Sequence, residues 1–404
     1  MSRTRRQFLC DAAVGFTAAA LPLFGARRAF ADDDAPVVVV VFQRGAADAL
    51  TLAAPVGDPG YTPALRPSLR VGAGALDLDG FFAFPPQLAE LHTAYLEGEL
   101  AVVHLAGSPH GTRSHFEAQD YMERGVPGDR GTTDGWLNRY LGALASAGDP
   151  LMPQAGVTLG ALKAAALAGP APSINFRSIA SYRAPLTDMP GWSATVGGLY
   201  ADSLHDPALR QSLGEMVSSL AEIAQVPTAT SVAYPDEPTA LALRDAAALI
   251  RANIGVRAIA VSSDGWDSHA GQNALLSQRL PALSRALAAF RADLGAASAR
   301  TLTLVVTEFG RTVAENGSGG TDHGHGGVML ALGQGVSGGR VLLRNGVWPG
   351  LDPAALHAGR DLQVTTDFRD VYAEILTRHC GVSDLSEILP GYAVDPARFP
   401  GLIA

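Results

Sequence analysis

Asp322-His323-Gly324-His325-Gly326 sets a carboxylate and two imidazoles between glycines, just after the polar turn 316–321. Such a run fits neither a core nor a charged surface, and its side chains are of the kind that hold a divalent ion. Asp267-x-His269 is a second pair, short enough for both side chains to reach one ion when the loop curls. Asp48 and Glu308 add carboxylates. Arg44, Arg113 and Arg311 are guanidiniums suited to a bidentate grip on anionic oxygens. Ser114-His115 joins a hydroxyl to an imidazole, with His110 close by. Ser114 opens a helical run with Glu117 at the capping-box position, so its hydroxyl has an ordinary role as an N-cap. Beside a metal, the same hydroxyl at a helix N-terminus is also placed to attack an anionic phosphoryl or sulfuryl group.

These residues are scattered over most of the chain, so their chemistry depends on what brings them together. Residues 36–42 (Pro-Val-Val-Val-Val-Val-Phe) form an apolar run without polar alternation, as buried parallel strands do. Residues 100–105, 257–262, 301–307 and 328–332 read as further strands. Helical patterns cover 88–96, the stretch after Ser114, 240–254, 275–294 and 368–379. Strands separated by helices predict an α/β fold, a mostly parallel central sheet with helices on both faces. In such a sheet ligands sit at the carboxyl ends of the strands. Asp48, Ser114-His115, Asp267 and His269, and Glu308 with Arg311 each follow a strand, whereas Asp322, His323 and His325 precede one. Their convergence predicts a divalent metal: calcium, magnesium or manganese on an oxygen-rich subset, zinc or iron where the histidines contribute.

The first 31 residues read as a targeting segment. Arg5-Arg6 lies in a basic head, residues 12–24 are apolar, and Ala29-Phe30-Ala31 is a small-x-small cleavage site, a twin-arginine leader. The apolar run is well short of the roughly 20 residues a bilayer span needs. We therefore expect a periplasmic or secreted protein with no stable membrane span, with residues 32–404 as a single α/β domain. Twin-arginine cargo crosses after folding, often with its cofactor seated. Removing the leader's five arginines and Asp11 leaves 25 basic and 38 acidic residues, a formal charge of −13, which argues against a nucleic-acid partner. Cys10 departs with the leader, so Cys380 stands alone and the fold must rest on its core.

Taken together, Arg44-Gly45-Ala46-Ala47-Asp48, the Phe81–Pro86 stretch, Ser114-His115-Phe116-Glu117-Ala118-Gln119, Asp134-Gly135-Trp136-Leu137, Gly265-Trp266-Asp267-Ser268-His269, Glu308-Phe309-Gly310-Arg311-Thr312 and Gly320–Gly326 make a specific signature. It resembles the bacterial domain of unknown function 1501 family, within the alkaline phosphatase and sulfatase-like superfamily, over nearly all of the mature chain. The resemblance implies a metal cradle at the sheet's carboxyl edge and hydrolysis of a phosphate or sulfate ester. By position it implies Asp48 as the first acidic ligand, Ser114 as nucleophile, and Asp267, His269 and Glu308 as later ligands, with His323 or His325 as the histidine before the last core strand. Phe309 stands where relatives carry a ligating histidine, which leaves that ligand absent or supplied from Asp322-His323. Asp267-x-His269 is also tighter than the usual spacing.

The sequence thus leads to an exported metal-dependent hydrolase of a small anionic ester, with Ser114, His115, Arg44 and Arg311 as its working groups. The competing reading is a non-catalytic metal-containing binding or assembly protein of the cell envelope, acting on a polysaccharide or a partner protein. Oligomeric state is not legible.

Overall fold

The β-branched run near the start forms β1 (Val37–Gln43), and all seven of its residues are buried. In the computed structural model, which describes residues 34–149, 151–187 and 207–403, the other strands are β2 (Leu76–Asp77), β3 (Ala83–Phe84), β4 (Leu100–Gly107), β5 (Gly156–Leu159), β6 (Ser173–Phe176), β7 (Ala258–Ser263), β8 (Thr301–Val306), β9 (Gly327–Leu332), β10 (Arg340–Leu342) and β11 (Thr366–Asp367). The helices are α1 (Ala49–Leu52), α2 (Ala89–Leu96), α3 (His115–Arg124), α4 (Trp136–Ser146), α5 (Ile179–Thr187), α6 (Pro207–Gln225), α7 (Pro238–Arg251), α8 (Gln272–Leu294) and α9 (Phe368–Glu374). The expected leader over residues 1–31 lies outside the described residues.

β1 runs parallel to β7 on one side and to β8 on the other, which buries it at the sheet centre. The order across the main sheet is β10-β4-β9-β8-β1-β7-β5-β6, with β11 also pairing β4; β2 and β3 form a separate antiparallel pair. Side chains alternate across a strand, and β1 uses both faces. Val37, Val39 and Val41 join a core with α2, α7 and α8 through Leu91, Leu243, Leu249, Leu287 and Phe290. Val38, Val40 and Phe42 join a second core on the opposite face, with Trp136, Tyr140, Phe368 and Tyr372 of α4 and α9. Each fully buried aliphatic or aromatic side chain contributes roughly 1.5–3 kcal/mol, so both layers are strongly bound to the sheet.

The sheet is mostly parallel, as the sequence predicts, and its exception matters. β9 runs antiparallel to both β8 and β4. A residue preceding a parallel strand would lie at the far edge from the other candidate residues. Because β9 is reversed, its N-terminal approach, residues 322–326, arrives at the same edge as the carboxyl ends of β1, β4, β7 and β8. The predicted helix over 368–379 is α-helical only to Glu374 and closes with a π turn over Ile375–His379.

Candidate metal centre

Three imidazoles and one carboxylate meet at this edge. His115 opens α3; Asp267 and His269 lie in the loop after β7; His323 lies in the approach to β9. His323 Nε2 is 2.9 Å from His115 Nε2 and 2.9 Å from His269 Nε2. Asp267 spans the group, with Oδ2 3.4 Å from His115 Nε2, and Oδ1 3.0 Å from His269 Nε2 and 3.5 Å from His323 Nε2. His115, Asp267 and His323 each offer a ligand atom within 4.8 Å of the other two. Adjacent donors on one transition-metal ion, at bonds of about 2.1 Å, sit at such separations.

The other ring nitrogen of each histidine is already committed. Nδ1–H of His115 donates to Glu308 Oε1 at 2.7 Å, that of His269 to Asp322 Oδ1 at 3.1 Å, and that of His323 to the Arg113 carbonyl at 2.8 Å. A ring so held leaves Nε2 to the cluster, and the Nε2 atoms of His115 and His269 both face that of His323. Without a cation or a shared proton their lone pairs repel. Carboxylate or carbonyl partners on Nδ1 are how metal-ligating histidines are normally held. Burial, the dominant influence, keeps His323 more readily neutral than a free imidazole, the form a metal requires. Burial alone would raise the Asp267 carboxyl, but Arg311, His115 and His269 together hold it below the usual range.

Behind the ligands stands a buried frame. Glu308 is wholly buried, and its Oε1 accepts from His115, from Gln119 Nε2 at 2.8 Å and from Gly45 N at 2.9 Å. These hydrogen bonds outweigh the effect of burial and keep it ionised. His115 and Gln119 are four apart on α3, so one helix face presents both to the same carboxylate. Arg311, also fully buried, donates to Asp267 Oδ1 at 2.5 Å and to the Ala46 and Thr321 carbonyls. Phe309 stacks on His115 with ring centroids 4.9 Å apart. Phe309 also packs on His323, ring centroids 5.2 Å apart, so one aromatic floor backs both imidazoles.

The glycines around the histidines are set by close backbone packing. Gly310 N donates to the His325 carbonyl and Gly324 N to the Gly310 carbonyl, locking the 308–312 and 322–326 segments together. A Cβ on Gly310 would lie 1.8 Å from the Gly326 carbonyl oxygen. A Cβ on Gly45, whose φ is +117°, would lie 2.3 Å from Asp267 N.

Several sequence-assigned residues sit elsewhere. Asp48 is buried in an ion pair with Arg66, at 2.6 and 3.1 Å, and also accepts from Thr51 and Gln272 while capping α1. All its oxygens are engaged away from the cluster, because Arg66, 18 residues on, claims them. Glu308 and Asp322 orient histidines and are not placed as first ligands. His325 turns away and packs on His357, ring centroids 4.2 Å apart. His115, assigned from sequence to catalysis, stands among the ligand atoms. Arg311 is sealed beneath Asp267, and Arg44 is tied to Gln119 and Glu123 at 2.9 and 3.0 Å, so both guanidiniums are already committed to protein partners. His110 packs on Tyr121. Ser114 is the N-cap of α3, half-buried, but its hydroxyl makes no capping hydrogen bond, and Glu117 accepts from Thr112 in place of closing a capping box. Gln119, Arg360 and Asp361 were not singled out from sequence. Only Gln119 carried a readable signal, its helical spacing from His115.

The fold and site define an α/β protein with a histidine-rich, metal-competent cluster at the carboxyl edge of its sheet. Residues 107–391 match the family described as protein of unknown function (DUF1501), and the chain belongs to that family. No curated protein matches the chain. Among solved structures, BT1596, a 2-O GAG sulfatase, is similar at 10% identity with a TM-score of 0.34, over 76% of this chain and 66% of that one. The chain thus spans just under two thirds of that protein's length.

Proposed function

We propose that the chain is an exported, metal-dependent hydrolase of a phosphate or sulfate ester. The observation carrying this reading is that three Nε2 lone pairs and Asp267 face one space while every Nδ1 is held by an acceptor. Nitrogen-rich donors favour zinc or a similar transition ion over calcium or magnesium. Such an ion would supply Lewis-acid polarisation of the ester. His115, His269, His323 and Asp267 would hold it, Glu308 and Asp322 would orient the rings, and Arg311 would fix Asp267. Ser114, with its hydroxyl unspent on the helix cap and one residue before His115, is the nucleophile of this reading. The exposed side of Asp267 and His269, 44% and 46% accessible, gives substrate its way in. The export half of the reading rests on Arg5-Arg6 and the Ala29-Phe30-Ala31 site, and among the described residues no helix is long and apolar enough to cross a membrane.

One observation favours the non-catalytic reading: among the described residues no hydrogen bond joins the Ser114 hydroxyl to the cluster, so no base is in place to activate it. Elemental analysis and ester profiling of protein purified without chelator separate the two. Stoichiometric metal in the parent, metal lost in His115→Ala and His323→Ala, and turnover lost with metal retained in Ser114→Ala support hydrolysis. Metal without turnover on phosphomonoesters, phosphodiesters and sulfate esters moves the assignment to binding. Sub-stoichiometric metal in the parent, or full occupancy in both histidine variants, removes the site. Export is tested by changing Arg5 and Arg6 to lysine; normal export of that variant removes the twin-arginine reading.

A further inference from the structure

With Arg44 and Arg311 both committed, a second pair of cations lies beside the cluster. Asp361 is wholly buried and accepts from two arginines: Arg113 Nη2 at 2.6 Å, and Arg360 through Nε at 3.0 Å and Nη2 at 3.4 Å. One carboxylate neutralises one guanidinium, so the trio carries a net positive charge in a chain whose formal charge is −9. The arginine side chains are 41% and 45% exposed, and each guanidinium has five N–H donors, so both keep donors for a ligand.

Both arginines are also fastened to a candidate metal ligand. The Arg113 carbonyl accepts from His323 Nδ1 at 2.8 Å, and Arg360 Nη2 donates to the His323 carbonyl at 2.9 Å. Arg113 directly precedes Ser114 and His115 in sequence. The pedestal itself is rigid, because Asp361 and His357 exchange backbone hydrogen bonds at 2.8 and 3.0 Å.

We infer that Arg113 and Arg360, held by Asp361, form an anion clamp beside the metal centre that takes the non-bridging oxygens of a tetrahedral oxyanion, phosphoryl or sulfuryl. The inference rests on reading the neighbouring cluster as an ester-hydrolysing site; of the arginines the sequence indicated it keeps Arg113 alone, and it adds Arg360. Planar guanidiniums bind such oxygens in pairs, and a local cationic site is what an anionic substrate needs to approach an acidic protein.

Calorimetric titration of the metal-loaded full chain with inorganic phosphate and, separately, with inorganic sulfate tests it, run alongside metal analysis and ester turnover. The parent should bind at least one of the two, and the preferred anion separates phosphoryl from sulfuryl recognition. An Arg113→Gln/Arg360→Gln variant should bind that anion at least about tenfold more weakly, with its metal content unchanged. Should losing both cations beside buried Asp361 unfold that variant, Arg360→Lys keeps the charge but not the planar fork, and its anion affinity should still fall severalfold. Anion binding equally tight in the folded variants, or absent from the metal-loaded parent, overturns the clamp. Arginine-dependent anion binding with no ester turnover leaves the clamp standing and removes the hydrolase reading alone.

Discussion

Arg311 and Asp267 form a half-hidden ion pair: the guanidinium is completely buried, whereas the carboxylate it holds at 2.5 Å is 44% exposed at the mouth of the site. Arg311 fixes one oxygen while the carboxylate stays open to a ligand. Lysine at this position can reach Asp267 but cannot also bridge the Ala46 and Thr321 carbonyls. Arg311→Lys should therefore weaken metal binding by about 10–100-fold, the usual penalty for losing a partner of a metal ligand. A metal-competition titration of the purified variant reads this out, and parental affinity would show that Asp267 needs no such anchor.

Asp48 gives the opposite expectation. Its ion pair with Arg66 is buried on both sides, so Asp48→Asn strands a buried guanidinium and should cost about 3–5 kcal/mol of stability. Metal stoichiometry in the surviving folded protein should match the parent. Denaturant unfolding and elemental analysis on the same sample check both halves. A variant of parental stability that lacks metal would return Asp48 to the ligand set.

Stability should also fall on mild acidification, through His104. This side chain is completely buried in β4, donates from Nε2 to the Ala53 carbonyl at 2.9 Å and accepts at Nδ1 from Leu105 N. Burial lowers its pKa to about 4. A histidine depressed in the folded state stabilises fully above its unfolded value near 6.5 and loses that contribution as pH falls from there toward 4. The shift corresponds to about 3 kcal/mol. Urea midpoints between pH 7 and pH 4 should drop in the parent, and by less in His104→Gln, where His325, also pulled down to about 4 by burial, keeps its own share. Equal slopes in the two proteins would assign the acid sensitivity to other groups.

Metal binding should itself stabilise the fold, because its donors come from three separate segments that only the native chain assembles. At free zinc 100-fold above its dissociation constant, the gain is about 2.7 kcal/mol. Unfolding of chelator-treated protein, with and without added zinc, measures it. Zinc should lose this effect in His323→Ala, whereas an equal gain there would place the stabilising ion at another site.

Much of this organisation could be read from residue order. The Val37–Phe42 run has the composition of a strand buried on both faces, and it is one. Asp267, His269 and the His323/His325 pair could be named as candidates because histidines and carboxylates at strand ends are costly unless something compensates them. The direction of β9 could not be read, since Val-Met-Leu-Ala-Leu has the same burial pattern either way round. Asp48 looks like a ligand until Arg66 is seen beside it, and nothing local in sequence announces that pairing. His323 and His325 have the same chemistry and near-identical neighbours, and only the backbone locked by Gly310 and Gly324 sends one to the cluster and the other to His357. Arg113 stood out as a guanidinium near a strand end, but its pairing with Asp361 and Arg360 could not be read, since Arg113 and Asp361 are 248 positions apart.

The reversed strand also dictates when the centre can exist during folding. β9 joins β4 through pairs such as Leu100 with Leu332, a contact between distant parts of the chain. Closing so long a loop is entropically costly and comes late when non-local strands pair. His323 reaches His115 only once that seam has zipped, because one precedes β9 and the other follows β4. A nascent or half-collapsed chain therefore offers no three-nitrogen pocket to capture an ion. Under the proposed metal reading, ion uptake would report completed folding, and a chain truncated before His323 should take up none however well the remaining sheet forms.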